Sequence, residues 1–149
     1  MELENTFKAT GKVRIVKTNS AGEVVQDFEV PNLVVTTGKN FIAAAMIKTT
    51  TNSPAAMTHM GIGTSGTTPG ASDTALLAQT VRVTLSASVT TNAVTYTATF
   101  PAGSGDGALQ EAGIFNASSA GTMLCRTTFS TVTKGSGDTV AITWVVTVS

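Results

Sequence analysis

The sequence predicts an all-β fold: an antiparallel β-sandwich, jelly-roll or Ig-like, of about eight or nine strands with one α-helix near residues 38–48. Three observations predict it. First, Val81–Phe100 alternates with a period of two. Val81, Val83, Leu85, Ala87 and Val89 share one parity, and Val94, Tyr96, Ala98 and Phe100 share one after the break at Thr90–Ala93. Alternation of this kind places every second side chain on the same face of a strand, so the stretch reads as a β-hairpin, with Asn92 supplying a left-handed turn residue. Second, clusters of Gly, Asn, Ser and Pro recur about every 8–12 residues between apolar runs. Third, charged residues are only 12% of the chain, about half the usual share, and Thr, Ser, Asn and Gly carry its polarity. Thr is β-branched and suits a pleated surface.

Each element follows from local pattern. Lys12–Lys17 reads as a strand, Asn19–Gly22 as a turn and Glu23–Val30 as a second strand. Residues 1–30 hold half of all the charged side chains, so they read as a charged arm or hairpin of the same fold, placed at a sheet edge where charge deters unwanted pairing. Residues 31–149 then form the sandwich domain. Pro31-Asn32 breaks the strand pattern. Phe41, Ile42, Ala45 and Met46 stand at helical spacing around the Ala43–Ala45 run, with Thr36 or Thr37 as cap and Lys48 in the last turn. Residues 49–56 read as a polar loop and Met57–Gly63 as a strand. Ser72–Gln79 reads as a helical turn capped by Ser72 or Asp73. Leu109–Phe115, Thr122–Phe129 and the alternating Val140, Ile142, Trp144, Val146 and Val148 complete the strands. The expected core scaffold is Val83, Leu85, Tyr96, Phe100, Phe115, Ile142 and Trp144.

The chemistry inventory is thin. The chain has one His and one Cys, no Ser in a nucleophile elbow, and no His pair to hold a metal. Cys125 reads as a buried structural thiol and His59 as a hydrogen-bonded strand residue. Glu111 reads as facing away from the Ile114 set or sitting at an edge, with no carboxylate partner for acid–base work. Gly61–Gly66 spells G-x-G-x-x-G, but Thr67-Thr68-Pro69-Gly70 follows it instead of a helix, so a strand leaving into a glycine-rich loop is the reading, not a dinucleotide site. Asp106, alone in the Pro101–Gly107 loop, is a poor calcium ligand set. No catalytic, cofactor or metal site is expected, and the chain is expected not to be an enzyme. Net charge is zero and the cations are scattered, so no nucleic-acid partner is expected. No apolar run reaches the ~20 residues that span a bilayer, and Met1–Lys8 lacks the basic start and apolar run of a signal peptide. A cytoplasmic origin and no membrane partner are the expectations.

From Asn32 onward the chain resembles a group of small tailed-bacteriophage virion proteins. The residues that carry the likeness are Asn32–Asn40 before the helix, Met60–Thr64, Glu111–Asn116, Gly121–Leu124 leading to Arg126, the Lys134-Gly135 turn and Ile142–Trp144, about four-fifths of the chain. These motifs are structural. The resemblance implies a capsid decoration (cement) protein that binds the outside of the head and bridges capsid subunits. Its partners would be the major capsid protein and copies of itself, as a homotrimer at three-fold positions, and its location the virion. The alternative it implies is a tail, collar or fibre component with a host-binding or adaptor role. Contact with the shell or between subunits is expected at Phe7, Lys8, Lys12 and Arg14.

Overall fold

A computed structural model describes residues 6–47 and 54–149. Among them the chain forms β1 (Ala9–Thr18), β2 (Val24–Val34), α1 (Thr36–Ala45), β3 (His59–Gly63), β4 (Gln79–Thr84), β5 (Ser86–Thr90), β6 (Ala93–Phe100), β7 (Gly107–Phe115), β8 (Met123–Lys134) and β9 (Thr139–Val148). The strands hydrogen-bond in the order β4-β3-β7-β8-β2-β1-β9-β6-β5, and every pairing is antiparallel. The fold is therefore all-β, nearly closed on itself, with a single short helix. Lys48 and most of the 49–56 loop lie outside the described residues.

The charged hairpin is not at an edge. β1 and β2 lie in the middle of the order, between β9 and β8. Their turn is closed by Asn19, whose Oδ1 accepts the Ala21 and Glu23 amides, with Gly22 at φ +82°. Val13 and Ile15 point inward and are fully buried, opposite half-buried Val30 and Phe28. The intervening charges solvate the outer face. Alternation sorts side chains between faces but does not say which strands lie alongside, and this is why the edge placement failed. Nor does Pro31-Asn32 break the strand: β2 runs through it, pairing Pro31 with Lys12 and Asn32 with Gly11. β2 gains its second neighbour only beyond this point, where Leu33 and Val34 pair with Arg126 and Cys125.

Val81–Val89 is not one strand. β4 and β5, separated only by Leu85, stand at opposite ends of the strand order. The Leu85 amide donates to the Thr58 carbonyl at 2.9 Å, the last step of the β3–β4 register, and beyond it the chain turns from one half of the sheet to the other. Leu85 is buried and Val81 and Val83 are half-buried, but Ala87 and Val89 are exposed although they share the same parity. The hairpin itself is β5–β6. Its left-handed residue is Thr91 (φ +55°), not Asn92, whose side chain instead donates to the Val148 carbonyl.

Two corners fold the sheet over its core. At one, β2 passes from β1 to β8, and Phe28 meets Phe129 with ring centroids 6.2 Å apart. At the other, β4 becomes β5. Strands that bend from one layer to the next make the corners of orthogonally packed sheets. Between the layers lie Tyr96, Phe100, Ile142 and Trp144 with Val13, Ile15, Ile62 and Ile114. The scaffold residues expected in the core are buried apart from half-buried Val83; Phe115 belongs to a second cluster with Val35, Leu76 and Met123 on the other face of its sheet.

α1 covers β8. It begins at Thr36, with Val35 in the cap position and no side-chain cap; Thr37 donates to the Met123 carbonyl instead. Gly38 lets the helix touch the strand, since a Cβ there would lie 1.9 Å from the Leu124 carbonyl oxygen. Glycine inside a helix costs about 1 kcal/mol relative to Ala, and this close approach is what it permits. Phe41 and Ile42 pack against the core, whereas Ala45 and Met46, predicted on the same stripe, are exposed.

Candidate contact surface and buried ion network

The sequence left the most chemically loaded cluster unread. Arg126 on β8 and Glu111 on β7 are both fully buried, because the loop between β3 and β4 lies over the outer face of these strands. Arg126 Nε donates to Glu111 Oε2 at 3.0 Å, and Nη1 reaches Asp73 Oδ2 at 3.0 Å. Nη2 lies 2.9 Å from Glu111 Oε2 but off the line of a hydrogen bond, so it contributes charge and not direction. Glu111 also accepts the Leu77 and Ala78 amides, at 3.1 and 2.7 Å. Glu111 thus faces away from the Ile114 set, as expected, but on a covered face of a central strand and not at an edge. Ser72–Gln79 is no helix: those two amides are held by a carboxylate from β7, and Asp73 accepts the Gly70 amide while it faces Arg126. Opposite charges in the middle of two consecutive apolar strands were the available signal. The network ties a long loop to the sheet, and its carboxylates are occupied by donors.

That loop begins at the G-x-G-x-x-G stretch. β3 is paired antiparallel on both sides and no helix follows it. A Cβ on Gly63 would lie 2.4 Å from the Ala78 carbonyl oxygen, so this glycine serves the close return of the loop. Elsewhere, buried Lys134 pairs with Asp106 at 2.7 Å. Arg82 stacks 3.4 Å above the Phe115 ring and donates to the Ala117 and Ala120 carbonyls, which fixes the β7–β8 turn. His59 Nδ1 lies 2.8 Å from Thr58 Oγ1. Cys125 is free and buried, and burial pushes its thiol pKa well up, so it stays protonated. No group of three or more His, Cys, Asp or Glu stands together among the described residues, and no described helix is long and apolar enough to cross a membrane.

The four residues expected at a contact divide into two pairs. Lys12 and Arg14 project from the outer face of β1 and meet Glu29 and Asp27 on β2; Arg14 grips Asp27 through Nε (2.9 Å) and Nη2 (2.6 Å). Phe7 and Lys8 lie instead at the mouth of an open groove of about 620 Å³ between the start of β1 and α1. Ala9, Ile42, Ala43 and Met46 supply apolar wall, and Lys8 and Lys39 add two ammonium groups. This end exposes large apolar side chains: Met46 is 83% exposed, Ile47 62% and Phe7 58%. The Lys8 backbone is held by reciprocal bonds to Ser149, so the approach to Phe7 is fixed by β9. Comparison with family models, with curated proteins and with solved structures finds no match to this chain.

Proposed function

We propose that this chain is a non-catalytic assembly protein, a capsid decoration protein of a tailed bacteriophage, that docks on the shell through the groove between α1 and β1. The observation that carries the reading is the clustering of exposed Phe7 and Met46 with Lys8 and Lys39 around one groove, next to exposed Ile47 in the chain. Apolar groups in a concave site with a few polar ones suit an apolar anchor flanked by carboxylates on the partner. The partners are the major capsid protein and further copies of the chain, with a trimer at capsid three-fold positions as the expected assembly.

A deletion of residues 1–12 is a poor test, because it removes the start of β1, a central strand. Point changes at exposed positions avoid this. The double substitution Phe7→Ser, Met46→Ser should leave the thermal melt in place and abolish co-sedimentation with capsids that lack the protein. Undiminished saturation of those capsids by the double variant would reject the groove as the docking surface. Copy number per particle separates head from tail: a number matching the capsid lattice supports decoration, and a small number matching tail symmetry supports a tail or collar component.

A further inference from the structure

The strand order has two ends, and the molecule treats them differently. β4 is partly covered: Val81, Arg82 and Val83 are half-buried, and Gly105, in the loop after β6, packs over its apolar face, where a Cβ on it would stand 2.6 Å from Val81 Cγ1. β5 is bare: Ser86, Ala87, Ser88, Val89 and Thr90 are all exposed, and among the described residues no strand hydrogen-bonds to its outer side. Edge strands are usually blunted by charge, proline or a bulge. β5 has no charged residue and no proline, and its ladder to β6 runs without a shift in register.

A second observation concerns the face beside this edge. Cross-strand partners on one face form rows that start in the core. One runs Val13–Trp144–Tyr96–Ala87 and another Val146–Val94–Val89. Along them, burial falls from complete at Val13 and Trp144 to 71% exposure at Val89. The apolar face of the sheet therefore continues past its covering layer and stops at an unpaired edge.

We propose that β5 pairs antiparallel with β5 of a second copy across a two-fold axis, joining two sheets edge to edge. Full overlap of a five-residue strand with its copy sets Ser88 opposite the partner's Ser88, and Ala87 opposite the partner's Val89. These side chains are small, uncharged and self-complementary, as a contact between identical patches requires. The pairing supplies hydrogen-bond partners to the open edge and extends both apolar rows. A two-fold contact of this kind lies between three-fold units and not within them. The inference concerns the free chain and stands apart from the shell-binding reading.

The single native cysteine is buried, so Ser88→Cys adds the one accessible thiol. Directly opposed residues of antiparallel strands have Cα atoms about 4.5–5.5 Å apart, within disulfide range. Under mild oxidation Ser88→Cys should give a two-chain species on a non-reducing denaturing gel, well ahead of Ser136→Cys, an exposed thiol in the β8–β9 turn. In the otherwise native chain, Val89→Lys should halve the sedimenting mass and keep a cooperative melt, lowered only by what association adds to the native chain. Cross-linking of Ser88→Cys no faster than of Ser136→Cys, or a mass unchanged by Val89→Lys, would overturn the proposal, as would a native chain that sediments as a single copy.

Discussion

The two hairpins of this molecule are built from opposite materials and hold opposite positions. β1–β2 is rich in charge and sits in the middle of the sheet; β5–β6 carries no ionised side chain at neutral pH and ends the sheet. Charge at β1–β2 keeps the outer face of central strands wet, while Val13 and Ile15 on the inner face are sealed beneath the other layer. At β5–β6 the same alternation produces an apolar face with nothing over its last strand. Parity tells a residue which face it takes, and burial depends on whether another layer reaches that far. The difference also separates what the hairpins can do, since a central hairpin with paired charges supplies stability and an uncharged edge can accept another strand.

Where the hairpins meet, the dependence should be greatest. Trp144 on β9 lies between Val13 of β1 and Tyr96 of β6, fully buried. Trp144→Ala should cost about 3–5 kcal/mol in denaturant unfolding, because the cavity cannot close between two anchored ladders. Trp144→Phe should cost much less, since it also removes an indole N–H that has no partner. A small loss for Trp144→Ala would mean that the two hairpins are not joined through β9. The next test compares the hairpins directly. Ile15→Ala, fully buried in β1, should cost about 2–5 kcal/mol, and Val89→Ala, exposed on β5, should stay within about 0.5 kcal/mol. Similar losses at both sites in matched melts, at a concentration where the chain sediments as a single copy, would show that the apolar face at β5 is covered within one chain.

Much of the strand content was legible because period-two alternation and turn residues are local signals. Leu109–Phe115 and the Trp144 strand appear almost as read, and β8 simply continues past Phe129 to Lys134. What was not legible depends on neighbours distant in sequence. Nothing local to Val81–Val89 marks Leu85 as a corner, because both halves keep the same alternation. Glu111 and Arg126 look like ordinary polar interruptions until a loop from residues 64–78 covers them. Gly38 looks like a helix breaker until the Leu124 carbonyl is seen where its side chain would be. Of the contact residues, Phe7 was readable as a large apolar group in a charged segment, but the groove beside it required α1 to be placed.

Titration separates the hairpins at the two ends of the pH scale. Burial holds the Tyr96 hydroxyl in its neutral form and pushes its pKa up to about 12, from an ordinary 10.0. Because the unfolded chain ionises first, this stabilisation is complete below pH 10.0 and lost as pH rises toward about 12. Buried Cys125 acts in the same direction from its ordinary value of 9.0, so Tyr96→Phe should flatten the alkaline fall in melting temperature without abolishing it. β1–β2 responds to acid and more weakly. The hydrogen bond from Arg14 lowers the Asp27 pKa below its ordinary 3.8, with the nearby positive charge assisting. That contribution is present above pH 3.8 and disappears as pH falls through the lower folded value. Both side chains are exposed, so Asp27→Asn should only soften the acid slope, and added salt should shrink the difference between variant and native chain. A native melting curve flat from pH 5 to about 2 would mean that the Arg14–Asp27 pair does nothing for the fold; β5–β6 could not mask such a loss, because Ser86–Phe100 contains no carboxylate.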